Sequence, residues 1–347
     1  MDIISALTNE FKLQSWQVEN VVGLIDDGNT IPFIARYRKE AHGTLDDQTL
    51  REISERLEYL RNLDKRREEV RSSIETQEKL TEEIAAALDK AVTLAEIEDI
   101  YRPFKPKRKT RASVAREKGL EPLAAAIYAQ LKDSPAAIEL AKDYINEEKE
   151  VLTAEDALQG AMDIIAEDIS DNADIRRRLR NLFIVLGVVS AKASDETAES
   201  VYEQYYDFSQ PVDKIAGHRV LAIDRGEREG FLKVSVDLDK VKASNVITSV
   251  TLSDSGSLCT DTVREAGADA YDRLIYPSIE REIRSMLTAN AAASAIKVFS
   301  SNVKELLLQP PVKGKVALGL DPGYRTGCKV AVVDETSAHS STAQSIR

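Results

Sequence analysis

The acidic residue most suggestive of chemistry in this 347-residue chain is Asp321, which ends an apolar run. Apolar and small residues alternate over Val316–Leu320, which predicts a strand covered on both faces, and Pro322–Gly323 then turns the chain. A carboxylate at the end of a buried strand is a common ligand of the divalent ions that assist phosphodiester hydrolysis. The run from Cys328 to Val333 predicts a returning strand. Asp334 ends that strand on a turn, so it is a poor candidate for a second ligand.

The densest group of basic residues follows a predicted helix that ends near Tyr101. Its candidate nucleic-acid-binding members are Arg102, Lys105, Lys107, Arg108, Lys109, Arg111 and Arg116. Pro103 and Pro106 favour an extended backbone from which the cations can reach phosphates. Tyr101 and Phe104 carry rings suited to base stacking. The alternative is a structural arm whose cations pair with acids elsewhere in the chain, and the residues alone give both interpretations equal weight.

A third group of polar residues lies further along the chain. His218, Asp224 and Glu227 have metal-ligating side chains, but a histidine near a predicted strand start with scattered acids is common in proteins. Hydrogen bonding explains these residues more simply than a metal site does. Residues 225–230 predict a charged turn.

Two further sets of cations favour structural interpretations. One set comprises Arg176, Arg177, Arg178 and Arg180. The acids that precede this set are Asp163, Glu167, Asp168, Asp171 and Asp174. Mutual neutralisation is therefore favoured over RNA contact. The other set, Arg36, Arg38 and Lys39, lies on a helix that starts at Thr30–Pro32, and is interpreted as a solvated face or as partners for Glu40.

Composition limits the classes of function. The chain has 47 Lys and Arg against 59 Asp and Glu, a net charge of −12, so nucleic-acid contact requires local basic patches. Cys259 and Cys328 lack the spacing of a metal site or a disulfide framework, which fits a reducing compartment. No apolar run approaches the roughly 20 residues of a bilayer span, and the N-terminus has no signal-peptide pattern. We therefore expect a cytoplasmic protein with no membrane partner.

Helical periodicity dominates the sequence up to about residue 183. Residues 1–28 predict two short helices with a tight link, and Asp46–Gln77 predicts a long charged one. Thr93 and Glu96 form a capping box at the start of another helix. Short β-like runs appear at about 184–240. The sequence therefore predicts a mainly α protein with a small mixed α/β insert.

Two more helices are predicted over residues 266–287 and 289–308, with Pro277 as an interruption or a fresh start. The second helix is predicted to bury one face, formed by Ile296, Phe299, Val303, Leu306 and Leu307. The last residues, 335–347, are polar and rich in Ser and Thr. They lack strand alternation, so disorder is expected after Asp334.

Several motifs resemble signatures of the bacterial Tex family of RNA-binding transcription accessory proteins. They are IPFIARYRKEAHGTLDD, YRPFKPKRKTRASVAREKGLEPLA, HRVLAIDRGEREGFLKV, YPSIEREIRSML, VFSSNVKELLLQPPVKGK and VALGLDPGYRTGCKVAVVD, which occur in family order. The last resembles the opening hairpin of the family's RNase H-like, YqgF-type domain, where Asp321 matches the first acidic position. The resemblance implies a helix-turn-helix topology at the N-terminus. It also implies that helix-hairpin-helix elements and an OB-fold RNA-binding module follow in family proteins.

These observations predict an elongated multi-helix scaffold that ends in a truncated RNase H-like hairpin. The expected domains are an N-terminal helical region (1–110), a central helical region (111–310) with the insert at about 184–240, and the hairpin region (311–347). We expect a non-catalytic nucleic-acid-binding fragment of a transcription accessory factor, without cofactors, that binds RNA or single-stranded nucleic acid weakly. One alternative is an RNase H-like metal-dependent nuclease centred on Asp321. Another is a protein-interaction scaffold for RNA polymerase or the ribosome.

Overall fold

A computed structural model describes residues 2–106, 109–253, 255–310, 314–323, 327–335 and 339–344. Its N-terminal part is entirely helical over the described residues. The α-helices there are α1 (Ile3–Phe11), α2 (Ser15–Asp26), α3 (Ile31–Tyr37), α4 (Lys39–His42), α5 (Asp47–Thr76), α6 (Glu82–Lys90) and α7 (Leu94–Tyr101). A 3₁₀ turn, Arg102–Phe104, follows α7.

Capping residues set the ends of these helices. The side chain of Asp46 accepts the Thr49 N–H at 2.7 Å, which starts α5 within one residue of the start that the sequence predicts. The Thr93–Glu96 capping box is also present. Lys12 has a φ of 54° and closes α1, so a tight turn joins α1 to α2 and the helix-turn-helix-like start is confirmed as a topology. The buried face of α5 packs these helices into one hydrophobic core.

The central part has a second hydrophobic core, which begins at Ala112. Its first helices are α8 (Arg111–Glu117), α9 (Glu121–Tyr128), α10 (Ala137–Ala141), α11 (Ala154–Asp171) and α12 (Ala173–Leu186). A small antiparallel sheet follows, with strand order β2–β1–β3. Its strands are β1 (Val188–Ala193), β2 (Asp207–Pro211) and β3 (Leu232–Asp237). The mixed α/β insert is thus confirmed.

The chain between β2 and β3 differs from the expectation. The predicted strand start at His218 is wrong, because Gly217–Arg228 forms helix α13. The predicted turn at 225–230 is wrong for residues 225–228 and is found only at 229–230. Val220 and Ile223 are spaced for one face of a helix and are both buried. At Gly226 a Cβ would lie 2.7 Å from Leu232, so a glycine lets the helix lie close to the strand. The helix α14 (Lys240–Thr251), which the sequence reading omits, comes after β3.

A long helical path leads out of the central part. The helix α15 (Thr260–Asp269) runs through a π-helical segment, Ala270–Ile275, into α16 (Tyr276–Leu307). Pro277 lies in the first turn of α16, where it is tolerated, so the predicted fresh start at this residue is confirmed. The predicted break between residues 287 and 289 is wrong, because α16 continues through it. The buried face predicted for residues 289–308 is also wrong. Ile296, Phe299, Leu306 and Leu307 are exposed.

The C-terminal sheet confirms the predicted hairpin and corrects the prediction for the tail. β4 (Ala317–Gly323) pairs antiparallel with β5 (Gly327–Val333). Disorder after Asp334 is wrong for His339–Gln344, which forms β6 on the other edge of β5. A hairpin leaves unpaired backbone groups on its outer edges, and a polar segment can satisfy them without any apolar alternation.

Candidate nucleic-acid interface

The predicted basic segment, Arg102 to Arg116, connects the two hydrophobic cores. Tyr101 belongs to the N-terminal core and Ala112 to the central one. The backbone is not extended at either end, because Arg102–Phe104 is a 3₁₀ turn and α8 occupies Arg111–Glu117. Thr110 caps α8 by accepting the Ser113 N–H at 3.0 Å. Secondary structure therefore fixes both ends of the segment, and Lys107 and Arg108 lie outside the described residues.

Arg102, at the first end, faces the central helices. Its Nε lies 3.5 Å from Oδ1 of Asp171 on α11, and its Nη2 is 3.4 Å from the Ser278 hydroxyl on α16. Burial and the nearby Arg176 guanidinium lower the pKa of Arg102. The side chain is therefore engaged in packing one part of the protein onto the other.

Arg116, at the second end, is bound by two acids of α11. Its Nη1 donates to Glu167 at 2.6 Å and its Nη2 donates to Asp168 at 2.6 Å. Burial lowers the pKa of Arg116, but the hydrogen bond to Glu167 and the charges of both acids outweigh that effect, so the net shift is upward. Glu167 also accepts the Thr110 hydroxyl at 3.0 Å. Arg116 therefore pairs with acids elsewhere in the chain, as the structural-arm interpretation of the segment expects.

The middle of the segment is more open. The Lys105 side chain is 58% exposed, with its Nζ 3.5 Å from Glu98, and that of Lys109 is 72% exposed, with its Nζ 3.9 Å from Glu117. Arg111 is exposed and forms no ion pair among the described residues. Burial raises the pKa of Asp163, and the charges of Arg273 and Arg111 oppose that shift. Such long, solvated contacts hold a lysine weakly. These cations are available to an external anion at little cost.

The aromatic residues of the segment are less open than the cations. Tyr101 is 9% exposed, its hydroxyl lies 3.0 Å from that of Ser73, and the Arg66 guanidinium lies 5.5 Å from its ring centre. Phe104 is partly buried against the N-terminal core. Base stacking on Tyr101 would require the ring to leave that core, so any contact here depends on charge.

A cleft of about 850 Å³ lies beside the segment. Phe104, Lys105 and Arg116 line it together with the carboxylates of Glu121, Glu167, Asp168 and Asp171. Acidic walls disfavour a phosphate within the cleft. A nucleic-acid backbone is thus expected to follow the exposed lysines at the rim.

The α12 arginines divide into two pairs. Arg177 and Arg178 contact Asp174 at 2.6 and 2.7 Å, as the neutralisation hypothesis expects. Arg176 and Arg180 instead meet Asp99 of α7, at 2.8 and 2.6 Å, and Arg180 also pairs with Glu282 of α16. We call Asp99, Arg176, Arg180 and Glu282 the junction cluster.

Sequence reasoning missed the acids of the junction cluster. They lie 77 to 102 residues from their arginines along the chain. No local spacing in the sequence signals a contact of that range.

The residues considered as metal ligands have other partners or lie apart. Asp224 and Glu227 both bind Arg284, whose Nη2 lies 3.1 Å from Asp224 and 2.5 Å from Glu227. The hydrogen bond that Arg284 donates to Glu227, opposed by burial, raises the pKa of Arg284. His218 and Asp321 are exposed. Within the described ranges, no three His, Cys, Asp or Glu side chains are grouped so that they could hold a metal ion.

Comparison with known proteins identifies the chain by its parts. Three family models match in order: the Tex-like protein N-terminal domain at residues 1–75, the Tex central region-like model at 132–299, and the Tex protein YqgF-like domain at 315–345. The last match extends to residue 345, so most of the polar tail is also similar to the family domain. No helix in the described part of the chain has the length and apolar character needed to cross a bilayer.

Three relatives illustrate the similarity. Protein tex of Bordetella pertussis is 41% identical over 98% of this chain and 45% of its own length. Transcriptional accessory protein Tex of Neisseria gonorrhoeae is 39% identical over 97% of this chain and 45% of its own length. S1 RNA-binding domain-containing protein 1 of Homo sapiens is 32% identical over 97% of this chain and 35% of its own length. The chain thus spans less than half the length of these relatives, and it belongs to the Tex family.

Proposed function

We propose that this chain is a non-catalytic scaffold that binds single-stranded RNA weakly and mainly by charge. The observation that supports the proposal most is the contrast within the basic segment. Arg102 and Arg116 are bound to acids of α11, whereas Lys105, Lys109 and Arg111 project from the connection between the two cores. Cations left open to solvent can contact a phosphate backbone.

The charge balance sets the expected strength. A net charge of −12 repels a polyanion at long range, so a few local cations give weak and salt-sensitive binding. Acids that line the adjacent cleft further restrict the contact to its rim. The proposal therefore predicts an affinity that falls steeply as salt rises.

The names of relatives supply the biological context of the proposal. One relative is named a transcriptional accessory protein and another an S1 RNA-binding domain-containing protein. We infer a cytoplasmic role beside the transcription machinery, with RNA polymerase or the ribosome as the protein partner to test. Because the chain spans less than half of these relatives, the role is proposed for it as one part of a larger activity.

Fluorescence anisotropy with a labelled single-stranded RNA of about 12 nucleotides tests the RNA contact. The variant replaces Lys105, Lys109 and Arg111 by Ala. The matched control replaces Lys132, Lys233 and Lys242, which are exposed and form no ion pair among the described residues. The slope of log Kd against log salt should fall by about 2 in the first variant and stay unchanged in the control. Equal behaviour of the two variants would refute the assignment.

The non-catalytic part of the proposal has its own test. Asp321 is exposed on β4 and lies opposite Lys329 in the strand register. We expect no cleavage of RNA–DNA hybrids or branched DNA with Mg²⁺ or Mn²⁺. Cleavage that is lost in Asp321→Ala would establish the nuclease alternative instead.

A further inference from the structure

The α3–α4 turn presents a rigid platform on the N-terminal part. Arg38, with φ −127° and ψ 30°, breaks the helix between α3 and α4. Beneath it, Ile34 and His42 are fully buried. The two ring nitrogens of His42 are both occupied, since Nε2 lies 3.2 Å from the Ile34 carbonyl and Nδ1 accepts the Leu45 N–H at 3.0 Å. The outward side chains of this turn are thus held on a fixed backbone.

Two aromatic rings lie on that platform. Phe33 and Tyr37 have ring centres 5.3 Å apart, and the Arg38 guanidinium lies 5.6 Å from the centre of the Phe33 ring. The Tyr37 residue is 64% exposed, a large fraction for an aromatic side chain. The open Tyr37 ring thus lies next to a second ring that contacts a guanidinium, and exposed aromatic rings with a nearby arginine are features on which nucleobases stack.

The platform carries three cations. Arg36, Arg38 and Lys39 are exposed, and within the described residues none of them forms an ion pair. Of the two roles expected for these cations, the solvated face is confirmed, and pairing with Glu40 is not found among the described residues. Arg56 and Arg61 on the neighbouring α5 contact Glu10 and Asp26, at 2.8 and 2.7 Å.

The chain as a whole has a surplus of acids, yet these three cations lie together on one turn. Glu40 is also exposed, so the three cations leave a local excess of two positive charges. An acidic peptide would satisfy those charges, but it gives no reason for the open Tyr37 ring. A single strand of RNA uses both features, because its bases stack and its phosphates pair.

We propose that Phe33, Arg36, Tyr37, Arg38 and Lys39, the α3 patch, form a second binding site for single-stranded RNA, at which a base stacks on Tyr37. This inference rests on the proposed function, since it takes the same ligand at a separate place. The two sites differ in how they would bind RNA. The basic segment acts by charge alone, whereas the α3 patch combines charge with base stacking.

The chain carries its own reporter for this site. Trp16 is its only tryptophan and is 48% exposed. Its Cη2 atom lies 3.1 Å from the position that a Cβ on Gly43 would occupy, at the end of α4. RNA bound at the α3 patch should therefore change tryptophan fluorescence, and RNA bound only at the basic segment should not.

The test is a fluorescence titration of the full chain with a single-stranded RNA of about 12 nucleotides, and with the same sequence as a duplex. Tyr37→Ala should weaken single-strand binding by about 5- to 150-fold, the range for one lost stacking contact, while Tyr37→Phe keeps the wild-type affinity. Replacing Arg36, Arg38 and Lys39 by Ala should lower the salt slope by about 2. The Lys132, Lys233 and Lys242 variant is again the matched control.

Four outcomes overturn the inference. If tryptophan fluorescence stays constant while anisotropy reports binding, the RNA lies elsewhere. If only the charge variant weakens binding and Tyr37→Ala does not, no base stacks there. If the duplex binds as tightly as the single strand, stacking is not the mode. In each of these cases the proposed function stands, whereas a wild-type chain that binds no RNA refutes both.

Discussion

The junction cluster and the α3 patch use the same residue type in opposite ways. Arg176 and Arg180 have side chains 3% and 12% exposed, and both contact Asp99. Arg36 and Arg38 are exposed and have no acidic partner within the described residues. The difference shows that the position of an acid in the fold, rather than the density of cations in the sequence, separates structural arginines from arginines that can bind a ligand.

The junction cluster explains how the two hydrophobic cores are fixed to each other. Asp99 comes from α7 of the N-terminal part, and its partners come from α12 of the central part. Ser278 of α16 accepts a further hydrogen bond from Arg176 at 3.0 Å. A buried charge must be paired to persist, so these bonds hold the two parts in one relative position.

The largest expected effect comes from breaking the junction cluster. Asp99→Ala leaves two largely buried guanidinium groups without their shared acid, and it should lower the free energy of unfolding by about 3–5 kcal/mol. Urea denaturation followed by circular dichroism measures the change. Arg36→Ala serves as the exposed control and should change stability by less than about 0.5 kcal/mol. A small effect of Asp99→Ala would contradict the structural role.

A second prediction tests a buried arginine within the N-terminal core. Arg67 is 3% exposed, and it donates to the carbonyls of Leu88 and Ala91, each at 2.9 Å. Arg67→Ala removes these bonds and should cost about 2–3 kcal/mol, because buried acceptors are left unsatisfied. Hydrogen exchange should become faster in α6 before it does in the central part. Uniform acceleration across both parts would show that the two cores unfold together.

A third prediction concerns the buried Tyr271 and the stability of the protein at high pH, where a smaller effect is expected. Burial first, and then the nearby charges of Asp272 and Asp237, raise the pKa of Tyr271 from 10.0 to about 12. The folded protein therefore holds this proton more tightly than the unfolded chain does. The stability that results is complete below pH 10 and is lost as the pH rises through about 12.

Denaturation midpoints measured from pH 9 to 12 in Tyr271→Phe check this sign, because the variant should lose part of the alkaline decline. At neutral pH the variant should be as stable as the wild type, since the Tyr271 hydroxyl has no hydrogen-bond partner among the described residues. Destabilisation at neutral pH would reveal a bond to that hydroxyl.

The smallest effect on stability is expected at the exposed cations. Replacing Lys105 and Lys109 by Ala removes only contacts of 3.5 and 3.9 Å in solvent, so the melting temperature should stay within error of the wild type. Differential scanning calorimetry measures it. A clear loss of stability would show that these lysines have a structural role rather than a role in RNA binding.

Local signals made much of the helical fold predictable. The capping box at Thr93 acts through neighbouring residues and is present where the sequence predicts it. The start of α5 is also within one residue of the predicted one, and Asp46 caps it. The apolar spacing of α5 likewise predicts its buried face. Each of these features depends on contacts only a few residues apart.

Features that depend on distant parts of the chain were not predictable. The exposed face of α16 has helical spacing, but spacing cannot show whether another element covers it. β6 exists because β5 offers a free edge, whatever the polarity of the added segment. The choice between structural and available cations in the basic segment rests on α11 acids some 50 residues away.

The most direct test of the account is the affinity of the chain for a single-stranded RNA as KCl rises from about 50 to about 200 mM. If the basic segment and the α3 patch both contact the RNA, we expect measurable binding with about five phosphate contacts. That number of contacts should weaken the affinity by about 100-fold over this range of salt. If no RNA binding is detected, or if the affinity stays constant across this range of salt, the chain does not bind RNA through these cations.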